Sequence, residues 1–369
     1  MVDRGVSVVV PVYNGATTIE QTVKNICLST YKELEILLVD DGSVDESYEI
    51  CKKLAEQDSR IKVYQKKNEG VAKARNYGVE KSTGRYLCFC DQDDIVESEL
   101  YERMVNAMER NASDICMCGT GRSIRGEKSL FEITEDSCYK ANEILENLLY
   151  PLLFNGYKVP IAIGNRRCYP HIWNCMFDKK FWDEYHFSFR RYVNYEDDLL
   201  MKIDTLSRAK SVSMISYTGY YWNINLNSET YQHRFIEDLA QKQQLCYEDM
   251  KQCISRCVDD VEMLKLFKQV TFCKQYLEAL HICANCKKVN QQFSVKDFLK
   301  KTIYERDFKE CIEARKYIAK GQIKANILLP IIQKRWLVLC YYMEKILDKL
   351  MLISLRFQVL TKLERKIKE

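Results

Sequence analysis

The sequence predicts an α/β protein: a mostly parallel sheet with helices on both faces, followed by an α-helical C-terminal region. Three observations carry this expectation. Short apolar runs at 6–12, 34–39, 61–65 and 86–90 alternate with stretches of helical period, a βαβαβαβ pattern that packs helices over parallel strands. Three of those runs end in polar or acidic residues, at Tyr13-Asn14, Asp40-Asp41 and Asp91-Gln92-Asp93. From 232 onward the composition turns to Leu, Lys, Glu, Ile and Cys in helix after helix, with only Gly321 and Pro330 as interruptions. The expected division is 1–231 and 232–369.

Taken in order, 6–12 is a β-branched run that breaks at Pro11-Val12-Tyr13-Asn14-Gly15, as a fully buried strand entering a turn does. A helix over 17–28 follows, with Ile19, Val23, Ile26 and Cys27 on one face. The strand at 34–39 ends in Asp40-Asp41-Gly42-Ser43, and Ser43 with Glu46 has the spacing of a capping box, so the next helix is expected to start there. A strand at 61–65, a helix at 70–79 and a strand at 86–90 complete the alternation. A helix is expected from near Glu97 and a further strand over 114–119. Ligands of such sheets bind beyond the carboxyl ends of the strands, where all three polar segments lie.

The acids of Asp91-Gln92-Asp93-Asp94 have no basic residue among them to neutralise their charge. Carboxylates crowded this closely disfavour one another's ionisation unless a cation sits among them, and a hard divalent ion with open positions for phosphate oxygens suits them. There is no Gly-x-Gly-x-x-Gly turn and no P-loop, so a diphosphate here depends on metal and a basic side chain.

Composition excludes some classes. The 369 residues are 47% hydrophobic and 29% charged, enough for a full core, and a net charge of +4 gives no reason to expect nucleic acid. Seventeen cysteines behind an N-terminus that enters a strand at once point to a reducing compartment, with the cytoplasm expected. No apolar run is long enough to span a membrane. Cys253, Cys257, Cys273, Cys283 and Cys286 sit at helical spacing without paired knuckles, as buried thiols rather than zinc ligands.

Four motifs resemble those of family 2 glycosyltransferases, which have the GT-A fold. They are Ser7-Val8-Val9-Val10-Pro11-Val12-Tyr13-Asn14, Val39-Asp40-Asp41-Gly42-Ser43, Asn68-Glu69-Gly70-Val71-Ala72-Lys73-Ala74-Arg75-Asn76-Tyr77-Gly78 and Cys90-Asp91-Gln92-Asp93-Asp94. The resemblance covers about 6–231. It implies inverting transfer of a sugar from a nucleotide diphosphate donor, weighted toward UDP, to a saccharide or lipid-linked acceptor, helped by Mg²⁺ or Mn²⁺. It further implies a nucleotide-sugar site of Pro11, Tyr13, Asn14, Asp40, Asp41, Gly70, Arg75, Asp91 and Gln92. Tyr13 would lie beside base or ribose, Asp41 near the base, Arg75 toward the donor, and Asp91 and Asp93 at the metal, with Asp94 structural.

In-line displacement also needs a base on the acceptor side. Asn194-Tyr195-Glu196-Asp197-Asp198 resembles the family's acidic signature at a helix start, with Asp197 the implied base and Glu196 its positioning partner. Three acids in a row leave Asp198 as an alternative. Trp173-Asn174-Cys175 resembles a segment in which the family usually has lysine where Cys175 stands. The loop cations Arg122, Arg125, Arg166 and Arg167 are expected to be solvated, and His233 and Arg234 follow a tyrosine-rich strand and loop.

Ile332, Trp336, Leu339, Met343, Ile346, Leu350, Ile353, Phe357 and Leu360 follow three-four spacing along an expected terminal amphipathic helix with lysines and arginines on its other face. Two readings stay open: homo-oligomerisation, or attachment to the inner face of the cell membrane. Either suits synthesis of a surface polysaccharide. From a different class, a catalytically silent sugar-nucleotide-binding scaffold remains the alternative. A nucleotidyltransferase ranks third, because a Gly-rich basic first turn is missing.

Overall fold

The computed structural model describes residues 5–124, 126–160, 168–192, 196–224, 236, 238–285, 308–334, 336 and 338–350. The chain forms two compact units: one of 1–152 with 163–224, the other of 153–162 with 225–369.

The first unit is built on a ten-stranded sheet. Its strands are β1 (Val6–Val12), β2 (Leu34–Asp40), β3 (Ile61–Gln65), β4 (Tyr86–Phe89), β5 (Ile95–Val96), β6 (Ile115–Ile124), β7 (Glu127–Glu132), β8 (Ser137–Lys140), β9 (Cys175–Asp178) and β10 (Ser211–Asn223). They run in the order β3-β2-β1-β4-β9-β6-β10-β5, with β7 on β6 and β8 on β10. β3, β2, β1 and β4 are parallel, as are β6 and β10, while β9 pairs antiparallel with both β4 and β6. β4 and β6 therefore point the same way, and the central sheet is mostly parallel with β9 the one reversed strand inside it. β9 was not anticipated as a strand: at four residues it is too short for a periodicity to show.

All seven residues of β1 are buried, because both faces are covered. Val6, Val8, Val10 and Val12 share a core with Ile19, Val23 and Ile26 of α1 (Ile19–Cys27), Cys51 and Leu54 of α2 (Ser47–Gln57), and Met104, Val105 and Met108 of α4 (Leu100–Asn111). On the other face α3 (Val71–Lys81) lies over β1 and β2. Fully burying a Val or Leu contributes roughly 1.5–3 kcal/mol, so these inner strands form a rigid base for the loops at their carboxyl ends.

Three local expectations fail here. α2 begins at Ser47, with no capping box from Ser43 and Glu46, because the Ser43 hydroxyl instead accepts the backbone N–H of Asn14 at 3.0 Å. The helix expected from near Glu97 starts at Leu100, since the residues just before it, Ile95 and Val96, pair with β10 as β5. Arg122 lies on β6 rather than in a loop, its guanidinium 3.6 Å from the Phe131 ring centre. Arg125, Arg166 and Arg167 lie outside the described residues. The unit also holds α5 (Asn142–Ile144), a π turn (Leu145–Leu149), α7 (Lys179–Glu184) and α8 (Glu196–Leu206); α6 (Tyr150–Leu153) lies where the two units divide.

The second unit is helical: α9 (Leu239–Ile254), α10 (Val261–Asn285), α11 (Phe308–Ala314), α12 (Ile323–Gln333) and a helix over 338–350. Cys273, Tyr276, Leu280, Cys311, Leu328, Leu329, Ile332 and Cys340 form its core. Gln243 and Gln275 each donate through Nε2 to the other's backbone carbonyl, tying α9 to α10. Most of the described cysteines are buried, Cys253 and Cys273 among them, as expected of apolar thiols, while the Cys283 side chain and Cys286 lie outside what the structure describes. The expected seam through Ile332, Trp336 and Met343 does not lie on one helix: α12 ends at Gln333, Ile332 faces the core and Trp336 is exposed. Among the described residues no helix is long and apolar enough to cross a membrane.

Candidate active site

The carboxyl ends of β1, β2 and β4 are cross-tied by side chains binding backbone. After Pro11 and Val12, Tyr13 stands with its ring 42% exposed, while its backbone N–H donates to Gln92 Oε1 at 2.9 Å and its carbonyl accepts from Gln92 Nε2 at 3.0 Å. A Cβ on Gly15 would come within 2.3 Å of the same Gln92 amide, so only glycine admits this clip. Asn14 adopts a left-handed backbone (φ 49°), and its Oδ1 accepts from the N–H of Val44 at 3.0 Å. The turn after β1 is thereby held to the loop after β2 as well.

Asp40 and Asp41 are both buried. Asp41 is fully engaged, accepting from Lys66 Nζ at 2.9 Å, the Glu69 N–H at 3.1 Å and the Gly70 N–H at 2.7 Å. Gly70 takes φ 92° at the entry to α3, a conformation glycine adopts without strain. Asp40 accepts through Oδ2 from Ser43 N–H and Gln65 Nε2, and its Oδ1 is buried without a hydrogen-bond partner.

The acidic turn after β4 hangs on Tyr220 of β10. The Tyr220 hydroxyl accepts the Asp91 N–H at 3.0 Å and donates to Asp94 Oδ2 at 2.7 Å, and Asn223 N–H donates to Asp94 Oδ1 at 2.8 Å. Burial, then the charges of Asp91 and Asp93, push the Asp94 carboxyl well above the ordinary range. Asp93 is raised to about 6, by burial first and by Asp91 second. An inserted cation would remove that repulsion. Among the described residues no three His, Cys, Asp or Glu side chains converge as a ready metal site. Asp91 and Asp93 thus offer two hard oxygen ligands and leave the remaining positions to phosphate oxygens and water, which fits Mg²⁺ or Mn²⁺.

Arg75 of α3 gathers the acids. It is 4% exposed; Nη2 donates to Asp91 Oδ1 at 2.9 Å, and Nη1 to Asp197 Oδ2 at 3.1 Å and Asp198 Oδ1 at 2.6 Å. Its guanidinium lies 5.3 Å from the ring centre of Phe189, a residue whose backbone N–H and carbonyl are both bound by the Asn76 amide. Among the described residues the hydrogen-bond partners of Arg75 are thus acids, from a strand end on one side and from the start of α8 on the other. Asp198 is raised by burial, opposed by Arg75 and reinforced by Asp197 and Asp91. The side chain of Glu196 and the residues His233 and Arg234 lie outside what the structure describes.

Sequence reasoning assigned no part to two residues that support this arrangement. Tyr220 sat unremarked in a tyrosine-rich strand. Lys202, 1% exposed on α8, donates to the His171 carbonyl at 2.8 Å and Asn174 Oδ1 at 3.1 Å, fixing the strip that leads into β9. An apolar helix face interrupted by one lysine was the available signal. In that strip Trp173 stacks on Tyr220 with centroids 4.2 Å apart, and His171 on Trp173 at 4.3 Å, so the segment before β9 buttresses the tyrosine that carries the acidic turn.

Residues 7–171 match the sequence profile of Glycosyl transferase family 2. A Bacillus subtilis relative, the uncharacterized glycosyltransferase EpsJ, is 26% identical over 61% of this chain and 62% of its own length. Glycosyltransferase GlyA of Streptococcus pneumoniae is 36% identical over 38% of this chain and 20% of its own length. The chain thus matches less than two thirds of either relative. Among solved structures, residues 1–349 of TarS from S. aureus, in complex with UDP-GlcNAc, superpose with a TM-score of 0.62 at 14% identity, covering 92% of this chain and 90% of that one. Residues 7–171 thus resemble glycosyl transferase family 2, and the fold is GT-A, shared with TarS.

Proposed function

We propose that the chain transfers a sugar from a nucleoside diphosphate donor to a hydroxyl of a saccharide or lipid-linked acceptor, with inversion, as a step in making surface polysaccharide on the cytoplasmic side of a membrane. The observation that carries this reading is the Arg75 hub, which sets the acids after β4 beside those that open α8, where Asp197 lies 122 residues from Arg75 in sequence. One set suits a diphosphate and its metal, the other an incoming hydroxyl.

The exposed Tyr13 ring offers a stacking face for a base, and Asp40 brings an unpartnered buried oxygen to the same end of the sheet. Asp91 and Asp93 would hold Mg²⁺ or Mn²⁺, which when bound supplies positive charge for a departing diphosphate. Asp197 accepts the proton of the acceptor hydroxyl as its oxygen bonds to the anomeric carbon and the bond from that carbon to the diphosphate oxygen breaks, the electron pair leaving with the diphosphate. Attack from the face opposite the leaving group inverts the centre. Arg75 holds the Asp197 side chain in place until the acceptor arrives. Uridine is the proposed base; TarS, of the same fold, was solved with UDP-GlcNAc.

The test is thermal stability against a panel of nucleoside diphosphates and their sugars, with and without Mn²⁺. A ligand at 100 times its dissociation constant adds about 2.7 kcal/mol. The expected result is a shift for one nucleotide that requires metal and vanishes in Asp93→Asn, accompanied by release of nucleoside diphosphate when acceptor is added. Binding without release under any acceptor condition would favour the silent scaffold, and no shift for any nucleotide would refute a donor site.

A further inference from the structure

The helix over 338–350 has one face committed to its own unit and one that is apolar and bare. Inward, Cys340 and Glu344 are fully buried, with Met343 and Leu347 packed against the core of Leu328, Leu329 and Ile332. Glu344 accepts from Lys324 and meets His281 Nδ1 at 2.8 Å, which fixes the rotation of the helix on α10 and α12. Outward, at the positions helical period brings to one side, stand Val338, Leu339, Tyr342, Ile346 and Leu350, between 42% and 59% exposed, preceded by Trp336 at 55%. Single exposed apolar residues are ordinary, but a contiguous stripe of large ones marks a surface that something covers.

Charge identifies the occupant. From 334 to 369 the sequence holds nine Lys and Arg against four Asp and Glu, and one of the four, Glu344, is buried and paired. The rest of the chain is nearly neutral. Lys345 and Lys349 lie along one edge of the stripe, and the sequence continues to 369 with the same mixture of Ile353, Phe357 and Leu360 among Arg356, Lys362, Arg365, Lys366 and Lys368. Two copies of so basic a face repel when brought together. Anionic headgroups attract it, lysine stems can lie along acyl chains with their ammonium groups at phosphate, and Trp and Tyr suit the same boundary.

We propose that the outward face of residues 338–350 docks on an anionic lipid surface, apolar side chains in the headgroup–acyl boundary and lysines at the phosphates. The experiment is co-sedimentation of the full chain with vesicles of phosphatidylcholine alone and of equimolar phosphatidylcholine and phosphatidylglycerol. Binding is expected only to the anionic vesicles. It should weaken between 0.1 M and 1 M salt as the screening length shortens from about 10 Å to about 3 Å. Lys345→Gln with Lys349→Gln should lower the partition coefficient about 5-fold per lysine, the equivalent of about 1 kcal/mol each. Ile346→Ser with Leu350→Ser should abolish binding at unchanged melting temperature, since both side chains are exposed. The proposal is overturned by no binding to either vesicle, by equal binding of wild type and both variants, or by a concentration-dependent dimer that Ile346→Ser dissociates in a protein that ignores lipid.

Discussion

Replacing Arg75 by Met removes a buried cation and leaves three carboxylates facing one another. Breaking a buried ion pair from one side costs about 3–5 kcal/mol, because the partner stays behind uncompensated. Here Asp197 is 5% exposed, Asp198 19% and Asp91 34%, so Asp91 recovers part of its hydration and the lower half of that range is expected. For a unit of this size about 2–4 °C is lost per kcal/mol, so its melting transition should fall by roughly 6–16 °C at pH 7.5. The pH dependence separates this cause from lost packing. Burial holds Asp198 up at about 7 even with Arg75 opposing it, and without Arg75 it titrates higher, so the deficit is complete above that new folded value and closes as pH falls through it to below 7, where Asp198 is protonated in mutant and wild type alike. Arg75→Lys should give an intermediate loss, since a compact ammonium cannot serve three carboxylates at once. The assay is calorimetry of all three proteins from pH 7.5 to 5. A deficit that stays constant across that range would refute the electrostatic account, and a mutant that melts with wild type while losing only donor binding would show that Arg75 is committed to the ligand rather than to the acids.

Other consequences can be checked in the same way. Gln92→Ala removes both hydrogen bonds to the Tyr13 backbone at a cost of about 1–2 kcal/mol, and nucleotide affinity measured by titration calorimetry should fall while its metal requirement persists. Lys202→Met leaves the His171 carbonyl and Asn174 Oδ1 with only the weak Cys175 thiol as donor, a loss of about 1–3 kcal/mol visible in urea denaturation. His171 is depressed to about 3 by burial, then by Lys202 and Arg122. Its neutral form is the folded one, so the stability it confers is complete above its unfolded value of about 6.5 and is lost as pH falls, by about 2 kcal/mol at pH 5. His171→Phe, which keeps the stack on Trp173, should flatten the stability profile between pH 7 and pH 5; an unchanged slope would assign the acid sensitivity to other groups.

What could be read in the chain was what local pattern encodes. β1, β2 and β4 announce themselves because a strand buried on both faces is apolar at nearly every position, and their polar termini follow from where such strands stop. The capping box at Ser43 failed because a hydroxyl has one geometry to give, and Asn14, 29 residues earlier, claims it. The terminal seam failed for a related reason: three-four spacing is blind to a break at 334–337, and the core of the second unit captured Ile332 while leaving Trp336 outside.

The same distinction divides the candidate site. Asp91, Asp93, Asp40 and Asp41 stand where strand ends put them, so their placement at one edge of the sheet was available from order alone. Their partners were not. Whether Asp41 faces a base or, as here, Lys66 and the start of α3 is decided by a loop that closes through Gly70, and whether Arg75 faces phosphate or carboxylate is decided by α8. Asp41 and Asp91 already hold protein donors, while among the described residues one oxygen of Asp40 has none. On the proposed reading a diphosphate and its cation would compete with Arg75 for Asp91, and the guanidinium that they displace would be left to Asp197 and Asp198. Donor binding and the placement of the proposed base would then be coupled through one side chain, and Arg75→Lys would loosen that coupling before it abolished either.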